Sequence, residues 1–214
     1  MSDPVKEKLL SIQQSLKLDY GSFNDEFPEQ LMAVRFLTGD EKVLEIGSNI
    51  GRNTLVIASI LTHNNFVSME SHPFIAKQLE HNRDINGKTF HIENAALSKK
   101  KLIQRGWNTV ISDTVLEGYT AVDTITYGEL ITKYGIAFDT LVLDCEGAFY
   151  YILQDMPEIL SNIKLIIMEN DYNDVFKKEY IDGILKSSGF SVVYTEKGGW
   201  GPCFKNFFEV WKKE

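Results

Sequence analysis

Short apolar runs alternate along the chain with stretches of helical spacing. The predicted strands lie at residues 42–46, 65–70, 89–93, 139–144, 164–169, 190–195 and 206–211. Short runs of this kind are typical of strands buried on both faces of a parallel sheet. Helical patterns separate the first six runs, whereas only a glycine-containing loop joins the last two. The pattern therefore predicts an α/β fold with a mostly parallel seven-stranded sheet, an antiparallel last strand and helices on both faces.

Two amphipathic stretches precede the first strand. Apolar residues recur at close to helical spacing over residues 4–17 and again over residues 28–37. We therefore predict an N-terminal helical segment over residues 1–40 that packs on the core, followed by the main domain over residues 41–214. The sequence contains no repeat and no composition shift that would mark a linker between domains.

The first strand leads into a turn in the sequence VLEIGSNIG at residues 43–51. Ligands of open α/β sheets bind at such turns, where the carboxyl end of a strand meets a helix N-terminus. A dinucleotide-binding fold needs G-x-G-x-x-G here, because the second glycine lets the backbone approach a pyrophosphate. Gly47 and Gly51 have the spacing G-x-x-x-G, with Asn49 where that second glycine would stand. The spacing argues against a dinucleotide-dependent oxidoreductase.

Glu45 lies two residues before the first glycine. A carboxylate there would repel a pyrophosphate but suits a cationic ligand such as the ammonium of an amino acid. The pattern E-x-G-x-x-x-G resembles the first motif of class I S-adenosylmethionine (SAM) methyltransferases. Glu45 would then interact with the methionine end of SAM, lined by Gly47, Ser48, Asn49 and Gly51. The alternative is an ordinary strand–turn–helix with Glu45 in solvent.

The second and third strands end in residues suited to the adenosine part of the same ligand. Glu70 ends the second strand about 20 residues after the glycine turn, where an acid can accept hydrogen bonds from a ribose diol. Ser71 follows it, and Asn94 and Ala95 follow the third strand. Small residues there would let the adenine ring lie against the backbone. The alternative for Glu70 is a solvated residue at a strand end.

Composition restricts the function further. The chain has 214 residues, a net charge of −8 and a pI near 5.1. Nucleic-acid-binding surfaces are normally basic, so a nucleic-acid partner is not expected. Cys145 and Cys203 lack metal-ligand spacing, no apolar run reaches transmembrane length, and residues 1–10 lack the apolar region of a signal peptide. We expect a cytoplasmic enzyme, and the sequence leaves its oligomeric state open.

From residue 42 onwards the chain resembles the FkbM family of SAM-dependent methyltransferases. Besides the glycine turn and Glu70, the resemblance rests on NAALS at 94–98, DTIT at 123–126, LDCEGA at 143–148 and IIME at 166–169. Two positions depart from it: Cys145 replaces a more usual aliphatic residue, and Phe149 replaces a common second acid. The resemblance implies a Rossmann-like class I fold, SAM as donor, and O-methylation of a sugar or natural-product hydroxyl.

Methyl transfer to a hydroxyl requires donor and acceptor to be held close and the hydroxyl proton to be removed. Asp144 follows a central strand next to the glycine turn and is the first candidate for a general base or an acceptor-orienting group. Glu146 is the second candidate, because two acids one residue apart are expected to face the same cleft. The alternative for Glu146 is an acid that only stabilises a helix N-terminus.

A metal site is a further hypothesis. Asp144, Glu169 and Asn170 follow adjacent strands and carry oxygen ligands suited to Mg²⁺ or Mn²⁺. Some class I O-methyltransferases hold a divalent ion with residues in similar places, and such an ion lowers the pKa of a bound hydroxyl. The FkbM resemblance does not require a metal, so a metal-free site is the alternative.

Aromatic residues in predicted loops complete the candidates. Trp107, Tyr172 and Trp200 could form a wall against the acceptor, since aromatic faces stack on sugar C–H surfaces; the alternative is partly buried packing.

The sequence as a whole predicts a SAM-dependent O-methyltransferase that acts on a hydroxyl of a sugar or glycan. A polyketide or other small-molecule hydroxyl is an alternative acceptor, and a non-catalytic SAM-binding module is an alternative of a different class.

Overall fold

The computed structural model describes residues 3–213 of the chain. These residues form seven α-helices: α1 (Pro4–Ser15), α2 (Phe27–Phe36), α3 (Arg52–Ile60), α4 (Pro73–Ile85), α5 (Tyr127–Tyr134), α6 (Phe149–Asp155) and α7 (Val175–Ser187). They also form twelve strands: β1 (Val43–Ile46), β2 (Phe66–Met69), β3 (His91–Glu93), β4 (Ala96–Leu97), β5 (Leu102–Arg105), β6 (Asn108–Ile111), β7 (Thr120–Val122), β8 (Thr124–Ile125), β9 (Thr140–Leu143), β10 (Leu165–Glu169), β11 (Phe190–Glu196) and β12 (Phe208–Lys213). Short 3₁₀ helices lie at Pro157–Leu160 and Phe204–Asn206.

Seven strands form the central sheet, in the order β11-β12-β10-β9-β1-β2-β3. The last strand, β12, lies between β10 and β11 and is antiparallel to both, whereas the other pairs are parallel. The predicted fold class is therefore confirmed. Strand order reverses beside β1, which pairs with β2 on one side and β9 on the other. The carboxyl ends of β1 and β9 thus border the crevice where open α/β sheets bind ligands.

The central strands are buried along their whole length, as expected for the middle of a parallel sheet. All four residues of β1 and all four of β9 are buried. Around them, α2 packs against α3 and β10, and α6 packs against α7, so helices cover both faces. Glu45 is the one ionisable residue in these two strands, and its burial needs the specific partners described below.

Local sequence explains where several helices begin and end. The helix α5 has a capping box, in which Thr126 and Glu129 each bind the other's backbone N–H, and it ends at Gly135 in the left-handed conformation. The helix α3 begins at Arg52, because Gly51 adopts φ +95° and directs the chain straight into the helix.

The N-terminal segment packs on the rest of the chain. Leu9 of α1, Val34 of α2 and Val56 of α3 form a small buried cluster, while Met32 and Ala33 of α2 belong to the main core. This packing brings the start of α2 to the carboxyl edge of the sheet. The division into two domains at residue 40 stays a prediction.

A second sheet is inserted between β3 and α5. The strands β5, β6 and β7 form an antiparallel sheet in the order β6-β5-β7, and β4 pairs in parallel with β8 beside it. The inserted sheet reaches the carboxyl edge of the central sheet through Gln104, whose side chain accepts a hydrogen bond from Ser71.

Candidate active site

The turn after β1 brings the backbone of Gly47 against the end of β9. Gly47 has φ +91°, and a Cβ built on it would lie 1.6 Å from the backbone oxygen of Asp144. The N–H groups of Gly47 and Ser48 donate to the carbonyl of Met69 at 3.1 and 3.0 Å, which fixes the turn to the end of β2. The first glycine of the motif is therefore required by both conformation and space.

Asn49 and Gly51 complete this turn. Asn49 has φ +50°, a left-handed conformation that asparagine tolerates better than most residues, and its Oδ1 accepts from the N–H of Ile50 at 2.8 Å. Gly51 has φ +95°, and a Cβ there would lie 2.5 Å from Cδ1 of Leu79 in α4. The second glycine is thus needed where the turn passes under a neighbouring helix.

Glu45 lies beneath the turn rather than in the open crevice. Its side chain is 3% exposed, and its Oε2 accepts from the hydroxyls of Thr54 at 2.6 Å and Ser68 at 2.9 Å. Burial raises its pKa to about 7, although these hydroxyls oppose the shift. Ser48 is also buried, and its hydroxyl donates to the carbonyl of Met69 at 2.9 Å. Glu45 therefore supports the glycine turn from below, and its interaction with the methionine end of SAM, directly or through water, stays a prediction.

Glu70 has the position that the sequence predicts, at the end of β2. Its Oε2 accepts from the N–H of Asn49 at 3.0 Å, and its Oε1 accepts from the N–H of His72 at 2.7 Å. Burial raises its pKa, and the two backbone hydrogen bonds partly offset that rise. Both oxygens are held in fixed directions, and each carboxylate oxygen can accept a further hydrogen bond.

Asn94 and Ala95 follow β3 but have different surroundings. The amide of Asn94 donates to the carbonyls of Glu70 at 2.7 Å and Ser71 at 3.3 Å, so this side chain joins the ends of β2 and β3. Ala95 is buried and borders the cavity described next. Asn94 thus orients the loop that would contact an adenine, while Ala95 lies on the cavity wall.

A cavity of about 450 Å³ opens at the carboxyl edge of the sheet. The predicted site residues on its wall are Gly47, Asn49, Glu70, Ser71, Ala95, Asp144 and Glu146. Glu45, Ser48, Gly51, Asn94, Glu169 and Asn170 are not part of the wall. The inserted sheet and α6 form the opposite side, through Gln104, Trp107 and Tyr151 among others. One continuous cavity therefore joins the glycine turn to the inserted sheet and α6, where the sequence predicted only Trp107 as part of an acceptor wall.

Asp144 and Glu146 both border the cavity but have different partners. Burial raises the pKa of Asp144 well above its usual range, and the nearby Glu26 and Glu29 raise it further. Glu146 is exposed, with φ +50°, and a shared hydrogen bond with Asp171 raises its pKa to about 8. The charge of Glu146 also raises the pKa of Asp144, so the two acids of the motif LDCEGA influence one another.

Three carboxyl groups converge beside the cavity. Oxygen atoms of Glu29, Asp144 and Glu169 all lie within 4.8 Å of one another. Burial, and then the negative charges of Asp144 and Glu29, raise the pKa of Glu169 to about 10. We call these three residues the carboxyl cluster. Asp144 is its only member on the cavity wall among the described residues.

Asn170 is the third residue of the predicted metal site, and its place in such a site stays a prediction. Its side chain is fully buried, and its amide donates to the carbonyl of Asn206 at 2.6 Å and to Glu209 at 3.1 Å. Its amide oxygen is buried and has no hydrogen-bond partner among the described residues. Glu29, which the sequence did not predict, is the third acid near Asp144 and Glu169.

The main part of the site that the sequence did not predict is the first turn of the helix α2 and the residue that precedes it. Glu26 accepts from Nη1 of Arg52 at 2.7 Å and from the amide of Asn49 at 3.3 Å, and burial raises its pKa to about 7. Glu29 is 8% exposed. Both lie in the segment outside the family resemblance, and no local motif distinguishes them from ordinary acids in a helix's first turn.

The three aromatic residues that the sequence predicts for an acceptor wall lie in three different environments. Trp107 lies on the cavity wall and is 57% exposed. Tyr172 is buried in the core, and Trp200 is exposed on a loop away from the wall. Only Trp107 among them can contact a molecule in the cavity as the chain stands.

Comparison with solved structures gives the fold. An O-methyltransferase from Bacillus cereus in complex with SAH has 15% identity and a TM-score of 0.53, over 100% of this chain and 92% of that one. The O-methyltransferase TomG from Streptomyces achromogenes, in complex with SAM, has 13% identity and a TM-score of 0.53 over 100% and 91%. A ribosomal protein L11 methylase from Lactobacillus delbrueckii subsp. bulgaricus has 12% identity and a TM-score of 0.56 over 93% and 84%. The chain therefore has a Rossmann-like methyltransferase fold.

Comparison of the sequence with family models and curated proteins identifies no family. No family model matches the chain, and no curated protein matches it. The FkbM resemblance therefore stays a prediction. Within residues 3–213, no helix has the length and apolar character needed to cross a membrane.

Proposed function

We propose that the protein is a SAM-dependent O-methyltransferase. The observation that carries this proposal is the single cavity that joins the glycine turn and Glu70 to Asp144 and the inserted sheet. One end offers an acid for a ribose diol, and the other end offers a carboxyl beside an aromatic wall. Solved structures of the same fold include two O-methyltransferases that hold SAM or its product.

The lining of the cavity suits SAM in one orientation, with its adenosine and its methionine at opposite ends. Its adenosine would lie between Ser71 and Ala95, with the ribose diol donating to Glu70, whose two oxygens are already fixed by backbone N–H groups. Its methionine end would follow the turn past Gly47 and Asn49 towards Asp144. The sulfonium would then approach the carboxyl cluster, where negative charge favours a cation.

Asp144 is the proposed general base. As the hydroxyl oxygen of the acceptor forms its bond to the methyl carbon, the sulfur–methyl bond breaks and its electron pair stays on sulfur. The hydroxyl proton passes to the carboxylate of Asp144. A raised pKa brings this carboxyl nearer to the hydroxyl in proton affinity, which makes it a better base in its ionised form. Glu146, on the same wall, is the second candidate.

The proposed acceptor is a sugar or glycan hydroxyl. Trp107 and Tyr151 are the aromatic residues on the acceptor side of the cavity, with 57% and 43% of their surface exposed. Aromatic faces of this kind suit the C–H surface of a sugar ring, and Asn108 and Thr109 add polar groups beside them. The fold itself leaves the acceptor open, since one protein that shares it is a ribosomal protein methylase.

Calorimetric titration with S-adenosylhomocysteine, with NADH as a control, tests the donor. We expect micromolar binding of the first compound and none of the second; the absence of S-adenosylhomocysteine binding would overturn the proposal. Transfer of a labelled methyl group to a panel of free and linked sugars and small-molecule alcohols then identifies the acceptor. Asp144→Asn should keep cofactor binding and lose transfer by about 10²- to 10⁴-fold. Normal transfer by this variant would refute Asp144 as the base, and binding without transfer to any acceptor would favour a non-catalytic module.

A further inference from the structure

Residues 16–26, which connect α1 to α2, lie against the glycine turn. We call these residues the connecting segment. A Cβ built on Gly21 would lie 2.8 Å from Cδ1 of Ile50 and 2.8 Å from Nη2 of Arg52. Glu26, the last residue of the segment, pairs with the same guanidinium at 2.7 Å. The connecting segment therefore packs against the turn along which the methionine end of the donor is proposed to lie.

Two asparagines of α4 hold the connecting segment through the same pair of backbone hydrogen bonds. Oδ1 of Asn82 accepts from the N–H of Asp19 at 2.9 Å, and its Nδ2 donates to the carbonyl of Asp19 at 3.0 Å. Oδ1 of Asn86 accepts from the N–H of Lys17 at 2.8 Å, and its Nδ2 donates to the carbonyl of Lys17 at 2.7 Å. Residues four apart share one face of a helix, so the two side chains grip the segment side by side.

Asn82 makes one contact that Asn86 does not share. Its Nδ2 also donates to the carbonyl of Ile50 at 2.8 Å, in the middle of the glycine turn. The second bond from Nδ2 of Asn86 goes instead to the carbonyl of Asn82 in its own helix. Asn82 is fully buried, and both hydrogens of its amide are used, one for the segment and one for the turn. A single side chain therefore fixes the peptide group of Ile50, next to Asn49 on the cavity wall.

We propose that Asn82 is a positioning residue for the donor, which locks the glycine turn to the connecting segment so that donor binding and docking of the segment strengthen each other. A turn that is already held in its binding conformation binds more tightly, because its ordering no longer opposes association. By reciprocity, a ligand that binds the turn in this conformation favours the docked segment. This inference rests on the proposed function, since the ligand is the methyl donor.

Calorimetric titration of the full chain with S-adenosylhomocysteine compares Asn82→Ala with its matched control, Asn86→Ala. Each variant loses the same two hydrogen bonds to the connecting segment, but only Asn82→Ala also loses the bond to the turn. We expect Asn82→Ala to weaken binding about five- to tenfold, the effect of one hydrogen bond. Asn86→Ala should weaken binding less than about twofold, because the remaining clamp still holds the segment. Circular dichroism verifies that each variant is folded.

Hydrogen exchange of the wild-type chain tests the coupling even if Asn82→Ala does not fold. Within the part of the chain that the structure describes, the cavity wall includes no residue of the connecting segment, so a ligand in the cavity cannot shield the segment directly. S-adenosylhomocysteine should nevertheless slow exchange of the amides of Lys17 and Asp19, because it favours the docked segment. The same protection should persist in Asn86→Ala and disappear in a folded Asn82→Ala.

The outcomes separate this inference from the proposed function. A wild-type chain that does not bind S-adenosylhomocysteine would overturn the proposed function and this inference with it. A wild-type chain that binds the compound without slower exchange in the connecting segment would overturn the inference alone. Equal affinities of the two variants would do the same, because the bond from Asn82 to Ile50 would then contribute nothing to donor binding.

Discussion

Replacement of Gly47 by alanine tests whether the glycine turn depends on the close approach of two strand ends. The new Cβ would lie 1.6 Å from the backbone oxygen and 2.6 Å from the carbonyl carbon of Asp144. Neither atom belongs to a flexible side chain, so β1 and β9 would have to separate at their carboxyl ends. This separation would alter the wall of the cavity on both sides at once.

The expected loss of stability follows from three contributions. A left-handed conformation costs a residue with a Cβ about 1–2 kcal/mol. Overpacking against a rigid neighbour typically costs about 1–3 kcal/mol. Loss of glycine's freedom in the unfolded chain returns about 0.4–1 kcal/mol. We therefore expect Gly47→Ala to lower the free energy of unfolding by about 1–5 kcal/mol and to abolish detectable binding of S-adenosylhomocysteine.

Urea unfolding followed by circular dichroism measures the change, and calorimetry measures the binding. Gly183→Ala is the matched control, because Gly183 lies inside α7, has no left-handed conformation, and would place a new Cβ with no neighbouring atom within 4 Å. Alanine there should stabilise the chain by about 0.5–1 kcal/mol. Stability of Gly47→Ala within about 0.5 kcal/mol of the wild type, with cofactor binding intact, would refute this dependence on the strand ends.

Three further changes test other parts of the site. Glu70→Gln should weaken S-adenosylhomocysteine binding by about 10- to 100-fold in calorimetry, because a hydrogen bond to a charged group is worth about 1.5–3 kcal/mol; unchanged affinity would exclude Glu70 from the ribose site. Glu45 has a folded-state pKa of about 7, above the ordinary value of 4.5, so the folded state binds more protons than the unfolded state between these pH values. Stability should therefore fall as pH rises from about 5 to about 7, and Glu45→Gln should flatten that slope in urea titrations; a rise with pH would contradict the sign. Trp107→Ala should raise KM for the acceptor and leave S-adenosylhomocysteine affinity unchanged; an equal effect on both would place Trp107 at the donor instead.

The central sheet was predictable from the sequence because strand burial and glycine conformation are local properties. The run at residues 43–46 is buried throughout, and the glycine that follows it needs a left-handed φ that its neighbours dictate. The acid Glu70 was predictable for the same reason, since it ends a strand beside that turn. Its two backbone hydrogen bonds were not, because they depend on how the turn folds back over β2.

Side-chain direction at the strand ends was the hardest feature to predict. The amide of Asn170, which follows Glu169, is directed to Glu209. After β9, Asp144 and Glu146 both border the cavity as expected, although Glu146 has φ +50° and approaches Asp171. Glu29 was unpredictable in principle, because its place in the cluster depends on how α2 packs against β10.

The partners of the carboxyl groups around the cavity explain how so acidic an edge of the sheet can persist in a folded chain. Glu26 is neutralised by Arg52, and Glu45 and Glu70 are held by hydroxyls or backbone N–H groups, so each of these has its own compensation. Within the carboxyl cluster a side-chain hydrogen bond joins Glu29 and Glu169, but no cationic side chain of the described residues pairs with it, and its remaining sources of positive charge are protons, a bound cation or a cationic ligand. Methyl transfer from a sulfonium uses two of these, since the donor brings a positive charge and the acceptor releases a proton. A cluster that is costly to the empty protein is therefore well suited to the proposed reaction.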